Sequence, residues 1–404
     1  MINAHIHIFN YHFIPEDFLK VRLDGILGSK ADFFLRLLSS KAGRKLLKIL
    51  GAQRLFPKVT RYAEFLNVGL FETQDQLLQH IDKSYQGLNT SYVLLTLNMD
   101  YMSDQGLKGG PKIETQLAEI MDIKRRLGNK VYPFLSIDPR HLGGAELDAW
   151  IKQKWATGYF SGFKIYPALG FYPFDERLKP MWEFANANKL PVTTHCTRFG
   201  VNYIGSGVWN LIGTRPLSVN PDPVYMQPIY ERIQRYRNYQ GPARKDIQGN
   251  AWACNLFSHP SNYEPILVKY PDIKLCLAHF GGAEEVLAET LFKGKTEDEV
   301  KMLDNGVGNA AAYISWFELI KIMMAKYPNC WTDISYTLEN TKTFPRLSAV
   351  MKSPIADRVL FGTDFFMELQ DKDESTVLRN FLNAPDFSAT EKLQLYEVNT
   401  HRFV

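Results

Sequence analysis

The sequence lacks any CxxC pair: Cys196, Cys254, Cys276 and Cys330 stand far apart, mostly inside apolar runs. A small disulfide framework is thereby excluded, and a reducing compartment is the simpler expectation. An excess of one charge is also missing, since 47 Lys and Arg face 43 Asp and Glu for a net +4. So small and dispersed a surplus argues against a nucleic-acid partner and leaves small neutral or anionic ligands open. No apolar run reaches membrane-spanning length, and the chain does not open on a basic segment, an apolar stretch and a small-residue cleavage site. No membrane partner and a cytoplasmic location are therefore expected. Internal repeats and low-complexity tracts are absent as well.

What is present is material for a sizeable core: 404 residues, 45% of them hydrophobic. Eight short runs rich in β-branched, leucine and aromatic residues each end at a polar residue, Pro or Gly. In order they are INAHIHIF, TSYVLLTLNM, KVYPFLSIDP, FSGFKIYP, LPVTTHC, IKLCLAHFGG, NCWTDISYT and RVLFGTDFF. Stretches of helical periodicity, such as IETQLAEIMDIKRRLG and KPMWEFANANKL, lie between most of them. Eight strands alternating with helices predict an α/β fold, a closed (β/α)8 barrel of the TIM type, ahead of an open doubly wound sheet. No GxGxxG follows the first run, which weakens the dinucleotide-binding form of that alternative.

Residues 1–404 read as a single domain with two insertions, 10–88 after strand 1 and 198–258 after strand 5. The first contains ADFFLRLLSSKAGRKLLKIL, expected as a helix packed on the barrel with a solvated lysine face rather than one lying on a membrane. The second is rich in Tyr, Trp, Gly and Pro and suits an ordered loop with short helices; its aromatic residues are expected chiefly to support the loop.

Residues two apart on a strand share a face, so His5 and His7 point together while Ile2, Ala4, Ile6 and Ile8 take the side that meets the helices. A lone strand histidine is ordinarily a hydrogen-bonded core residue, but this pair favours metal binding. Three further residues end strands: His195 in PVTTHC, His279 in LCLAHFGG and Asp364 in VLFGTDFF. Asp364 alone would read as a turn or cap. Together, all five sit where barrel strands deliver side chains to the C-terminal face, the usual place for an active site. His12 and His259 read as local hydrogen-bonding or capping residues, and His80, His141 and His401 have no partner at useful spacing.

HIH, GFKIYP, THC, SHPSNYEPILVKYPDIKLCLAHFGG and FGTD, in this order, resemble the metal-dependent amidohydrolase superfamily. The nearest likeness is to its amidohydrolase 2 branch, which contains aminocarboxymuconate-semialdehyde decarboxylase. The resemblance implies one divalent metal, zinc in the first place with Mn²⁺, Fe²⁺ or Co²⁺ open, held by His5, His7, His195 and Asp364. Asp364 would accept a proton from metal-activated water, and His279 would contact that water or the substrate. Lys164 in GFKIYP is ambiguous: in two-metal members a lysine there is carboxylated and bridges the ions, but one metal is preferred, with Lys164 meeting substrate or a neighbouring acid. Arg198 is the other candidate for a substrate carboxylate, with a loop salt bridge as its ordinary reading. Asn3 departs from the family pattern, where many members carry Asp, and puts the orientation of the ligands in question more than metal binding itself.

The expected activity is hydrolysis of a C–N or C–O bond in a small organic substrate. Non-oxidative decarboxylation of an unsaturated or aromatic carboxylate is the close rival. A barrel that binds metal or ligand without turnover is the alternative from a different class. Homo-oligomerisation is compatible with the resemblance.

Overall fold

All eight runs become strands in the computed structural model, which describes residues 1–15, 36, 43, 68, 71–104, 112–198, 200–213, 215–238, 247–287, 314–365 and 372–404. The strands are β1 (Ile2–Ile6), β2 (Ser91–Leu95), β3 (Val131–Ile137), β4 (Gly162–Ile165), β5 (Pro191–Thr194), β6 (Lys274–Leu277), β7 (Cys330–Asp333) and β8 (Val359–Leu360). They form one parallel sheet in chain order. The segment after β8 returns to β1: Ala4 N donates to Phe361 O at 2.8 Å, Asp364 N to His5 O at 2.9 Å and His7 N to Phe365 O at 2.6 Å. That return closes the (β/α)8 barrel and excludes the open sheet.

Parallel strands covered on both faces read as near-continuous apolar runs, which is why these were visible in the sequence. The helices cover the outer face with regular stripes. In α1 (Gln74–Ser84), Thr73 caps the first turn by accepting from Gln76 N, and Leu77, Leu78 and Ile81 are buried. In α2 (Ile113–Leu127), the buried stripe is Ile113, Leu117 and Ile120, spaced by four and three. Inside the barrel a separate apolar cluster includes Val93, Leu95, Phe134, Trp331 and Leu360, with Phe403 of the C-terminal helix among them. Lys164, Thr193 and Cys276 are register neighbours on β4, β5 and β6. These three, each third of four residues in its strand, lie toward the C-terminal ends of the strands.

β1 departs from simple alternation. Its pairing with β2 slips between Asn3 and Ile6, a β-bulge. Ile2 and Ala4 consequently join the interior cluster, whereas Ile6 and Ile8 pack with the outer one. The expectation that all four share the helix-facing side is corrected: the extra residue shifts the phase, so Asn3 faces outward and both histidines still face inward.

Most of the first insertion, including residues 31–50 apart from Arg36 and Gly43, lies outside the described residues. In the second, helices span Val208–Ile212, Pro223–Asn238 and Ile247–Ser258. Tyr203, Val208, Met226, Ile233 and Tyr236 there belong to the same apolar cluster as the outer face of the barrel. Among the described residues no helix is long and apolar enough to cross a membrane.

Candidate metal centre

His5 and His7 are buried at the end of β1, with ring centroids 5.3 Å apart. Nδ1 of His5 lies 2.8 Å from Oδ2 of Asp333, and Nδ1 of His7 lies 2.8 Å from the carbonyl of Leu95. Both partners only accept, so each Nδ1 carries the proton and each Nε2 keeps its lone pair. Those two Nε2 atoms converge on Oδ1 of Asp364, at 3.3 and 3.6 Å. Burial, reinforced by the nearby charge of Lys164, draws the pKa of His5 down to about 4 even though Asp333 opposes the shift. Burial and Lys164 hold His7 well below the usual range as well. Neutral imidazoles with inward lone pairs are the state a metal requires.

Asp364 reaches this point from the turn after β8, where the chain approaches β1 closely. A Cβ on Gly362 would stand 2.7 Å from His5 Cβ and 3.1 Å from Ser335 Cβ, so only glycine fits. Burial pushes the Asp364 carboxyl well up, with Lys164 holding it back.

Asp333, at the end of β7, was not singled out from the sequence, yet it organises one wall. Besides His5, it accepts at Oδ1 from His279 N at 2.9 Å, from Ser335 N at 3.1 Å and from the Ser335 hydroxyl. Burial opposes ionisation, but the charges and hydrogen bonds of His5, His279 and Ser335 keep its carboxyl far below the ordinary range. The available signal was its position, a carboxylate closing a strand as Asp364 follows one. His5, His279 and Asp333 form one compact group of donor atoms, and His5, His7 and Asp364 form another.

His195 stands outside both groups among the described residues. Its ring stacks on Tyr166, with centroids 4.1 Å apart and planes at 13°. The chain at Gly200 passes over it so closely that a Cβ would lie 3.1 Å from Cε1. Nδ1 of His195 meets Nε2 of His279 at 3.2 Å. Because the Ser335 hydroxyl donates to Asp333, it accepts from Nδ1 of His279 at 2.9 Å, and Nε2 of His279 then accepts from His195. His195 thus approaches the other candidates through His279.

Lys164 is buried inside the barrel, its ammonium without a hydrogen-bond partner among the described residues and 5.7 Å from the centroid of the Tyr166 ring. Burial pulls it down to about 8 against the attraction of Asp364 and Asp333. Arg198 has its Nε on Glu285 and its guanidinium 4.6 Å from the centroid of the Trp316 ring. Glu285 in turn accepts from Trp316 N at 2.8 Å, so Arg198 is tied into the support of the following helix. His259 caps a short helical turn by accepting from Ser261 N.

A family model described as Amidohydrolase matches residues 129–404. A comparison with curated proteins finds no match. Similar solved structures include 5-carboxyvanillate decarboxylase LigW from Sphingomonas paucimobilis, 12% identical, covering 100% of this chain and 98% of that one with a TM-score of 0.50. An uncharacterized TIM-barrel protein from Bordetella bronchiseptica is 15% identical over 100% of this chain and 97% of its own, with a TM-score of 0.48. An amidohydrolase from Burkholderia multivorans with bound zinc is 11% identical over 99% and 97%, with a TM-score of 0.46. The likeness to LigW, at 12% identity, speaks of the fold alone; the family match, extending over well more than half of the chain, places it further: the chain belongs to the amidohydrolase family.

Proposed function

We propose that the chain is a divalent-metal-dependent enzyme acting on a small organic substrate at the C-terminal mouth of the barrel. One observation carries this reading: Nε2 of His5 and Oδ1 of Asp364 are buried without hydrogen-bond partners among the described residues and face each other at 3.3 Å. Leaving such groups unsatisfied is costly, and an ion between them removes the cost. The donor set fits zinc first and other nitrogen- and oxygen-loving divalent ions after it. His5, His7 and Asp364 would hold the ion, with His195 the fourth ligand in the proposal. When bound, it supplies Lewis acidity to a substrate oxygen and lowers the pKa of water.

Hydrolysis of a C–N or C–O bond is the central reading. Asp364 takes the proton of the attacking water and passes it to the leaving group, while His279, whose Nε2 accepts from His195, holds that candidate ligand beside the site. Decarboxylation is the second reading, favoured by the ammonium of Lys164, a buried cation suited to a substrate carboxylate. Elemental analysis after metal supplementation tests the centre. About one equivalent is expected; less than roughly half an equivalent overturns it, and close to two promotes a carboxylated Lys164. His5→Ala should lose the metal. Incubation with lactones, amides and carboxylated aromatics, reading ring opening and CO₂ release separately, decides between the reactions.

A further inference from the structure

Behind the metal centre, on the outer face of the barrel, Asn3 ties together the two segments that carry His5 and Asp364. Its Oδ1 accepts from the backbone N–H of His5 at 3.2 Å and of Thr363 at 3.3 Å. Backbone amides only donate, so the orientation of the Asn3 amide is settled and its Nδ2 must face the other way. There it donates to the hydroxyls of Tyr85 and Thr363, each at 2.8 Å. With their oxygens already accepting, both hydroxyls donate onward to Oε1 of Glu374, Thr363 at 3.0 Å. Asn3, Thr363 and Glu374 are all buried, as is Tyr85. The chain of donors therefore runs one way, from the amide through two hydroxyls to a single carboxylate.

We propose that Asn3 and Glu374 form a polarity-matched pair that positions β1 against the β8 turn, and so sets His5 and Asp364 for the metal. A carboxylate at position 3 has no proton to give. It would compete with Glu374 for the same two hydroxyl protons, leaving a buried acceptor unsatisfied beside a second negative charge. The pair explains why this chain has an amide where a carboxylate is common in the resembled family: its carboxylate stands on the other side of the hydroxyls. Exchanging the two groups reverses every donor and satisfies the network again, because an amide at position 374 donates to the hydroxyl oxygens while the carboxylate at position 3 accepts their protons. Asn3 and Glu374 are positioning residues, since neither reaches the mouth of the site.

The effect on ligands rests on the proposed metal centre, whereas the pairing itself does not, and two readouts separate them. Asn3→Asp, Glu374→Gln and the double variant are compared by thermal melting of the metal-free protein and by zinc affinity in competition with a chelator. Asn3→Asp is expected to melt lower and to bind zinc about 10- to 100-fold more weakly, the usual size of a change behind the ligands. The double variant should recover both, to within about threefold of the parent affinity. If the double variant is no better than Asn3→Asp in melting, the pairing is wrong; recovery of melting without recovery of affinity overturns the positioning role. Should Asn3→Asp fail to fold, folding of the double variant supports the pair and its failure refutes it. A parent protein that binds no zinc overturns the metal centre, while melting still judges the pair.

Discussion

Asp333→Asn removes one charge and almost no volume, yet it should disable His5 as a ligand. The replacement amide has two orientations. With its oxygen toward His279 N, Ser335 N and the Ser335 hydroxyl, it keeps three of the four hydrogen bonds that Asp333 makes with N and O donors and turns an NH₂ toward Nδ1 of His5. Turned over, it keeps His5 but sets a donor against two backbone N–H groups, so the first orientation wins. Nδ1 of His5 must then accept, which puts the proton on Nε2, the atom that faces Asp364. Restoring the metal-binding tautomer brings two donors together at 2.8 Å. The cost of a buried, unmatched donor is about 1.5–3 kcal/mol, so zinc affinity should fall roughly 10- to 150-fold. Chelator competition reads the affinity, and nitrogen NMR of the histidine rings reads the tautomer directly. An Asp333→Asn protein with parental affinity and Nδ1–H on His5 would refute the reasoning.

Two further outcomes follow from the same geometry. Gly362→Ala introduces a methyl 2.7 Å from His5 Cβ, so it should destabilise the fold by about 1–3 kcal/mol in chemical denaturation and weaken zinc binding; an unchanged midpoint would contradict the packing at the seam. Acidification of the metal-free protein should destabilise it between about pH 6.5 and 4: the folded pKa of His5 is lowered to about 4, so the unfolded chain binds more protons in that window and stability is lost as pH falls. His5 alone accounts for about 3 kcal/mol, His7 and His279 act in the same direction, and Asp364, raised by burial, opposes them. Urea titrations across the window check the sign, and His5→Gln should flatten the slope.

The barrel was legible because parallel strands buried on both faces leave unbroken apolar runs, and the candidate ligands stood out because polar side chains interrupt or end those runs. His5 and His7 announced a shared face by spacing alone, and the bulge after Asn3 left that conclusion intact while turning Ile2 and Ala4 inward. The bulge itself was hidden, since INAHIHI alternates apolar and polar residues without a break and so reads as an unbroken strand. Asp333 stands inside NCWTDISYT as a single aspartate with no partner at a telling spacing, so nothing local marks it. Arg198 could not be assigned by sequence, for its partner Glu285 lies 87 residues away. Glu374 and Asn3 stand even farther apart, and nothing local to either shows the hydroxyls between them.

The same separation explains how the site tolerates its backbone. His279, Phe280, Tyr336 and Asp364 all have positive φ, between 49° and 69°, where each non-glycine residue costs about 1–2 kcal/mol. All four follow strands β6, β7 and β8, where the chain must turn sharply to aim side chains into the mouth. Bonds between neighbouring segments hold these turns: Asp333 takes His279 N, Thr363 O takes Tyr336 N at 3.2 Å, and His5 O takes Asp364 N at 2.9 Å. Each strained turn is thus secured by the segment beside it, and the last is secured by β1. Ligand geometry depends in consequence on closure between β8 and β1. Asn3, Gly362 and Asp333, which donate no lone pair to the proposed ion at His5, His7 and Asp364, should govern its affinity as strongly as a direct contact of ordinary quality.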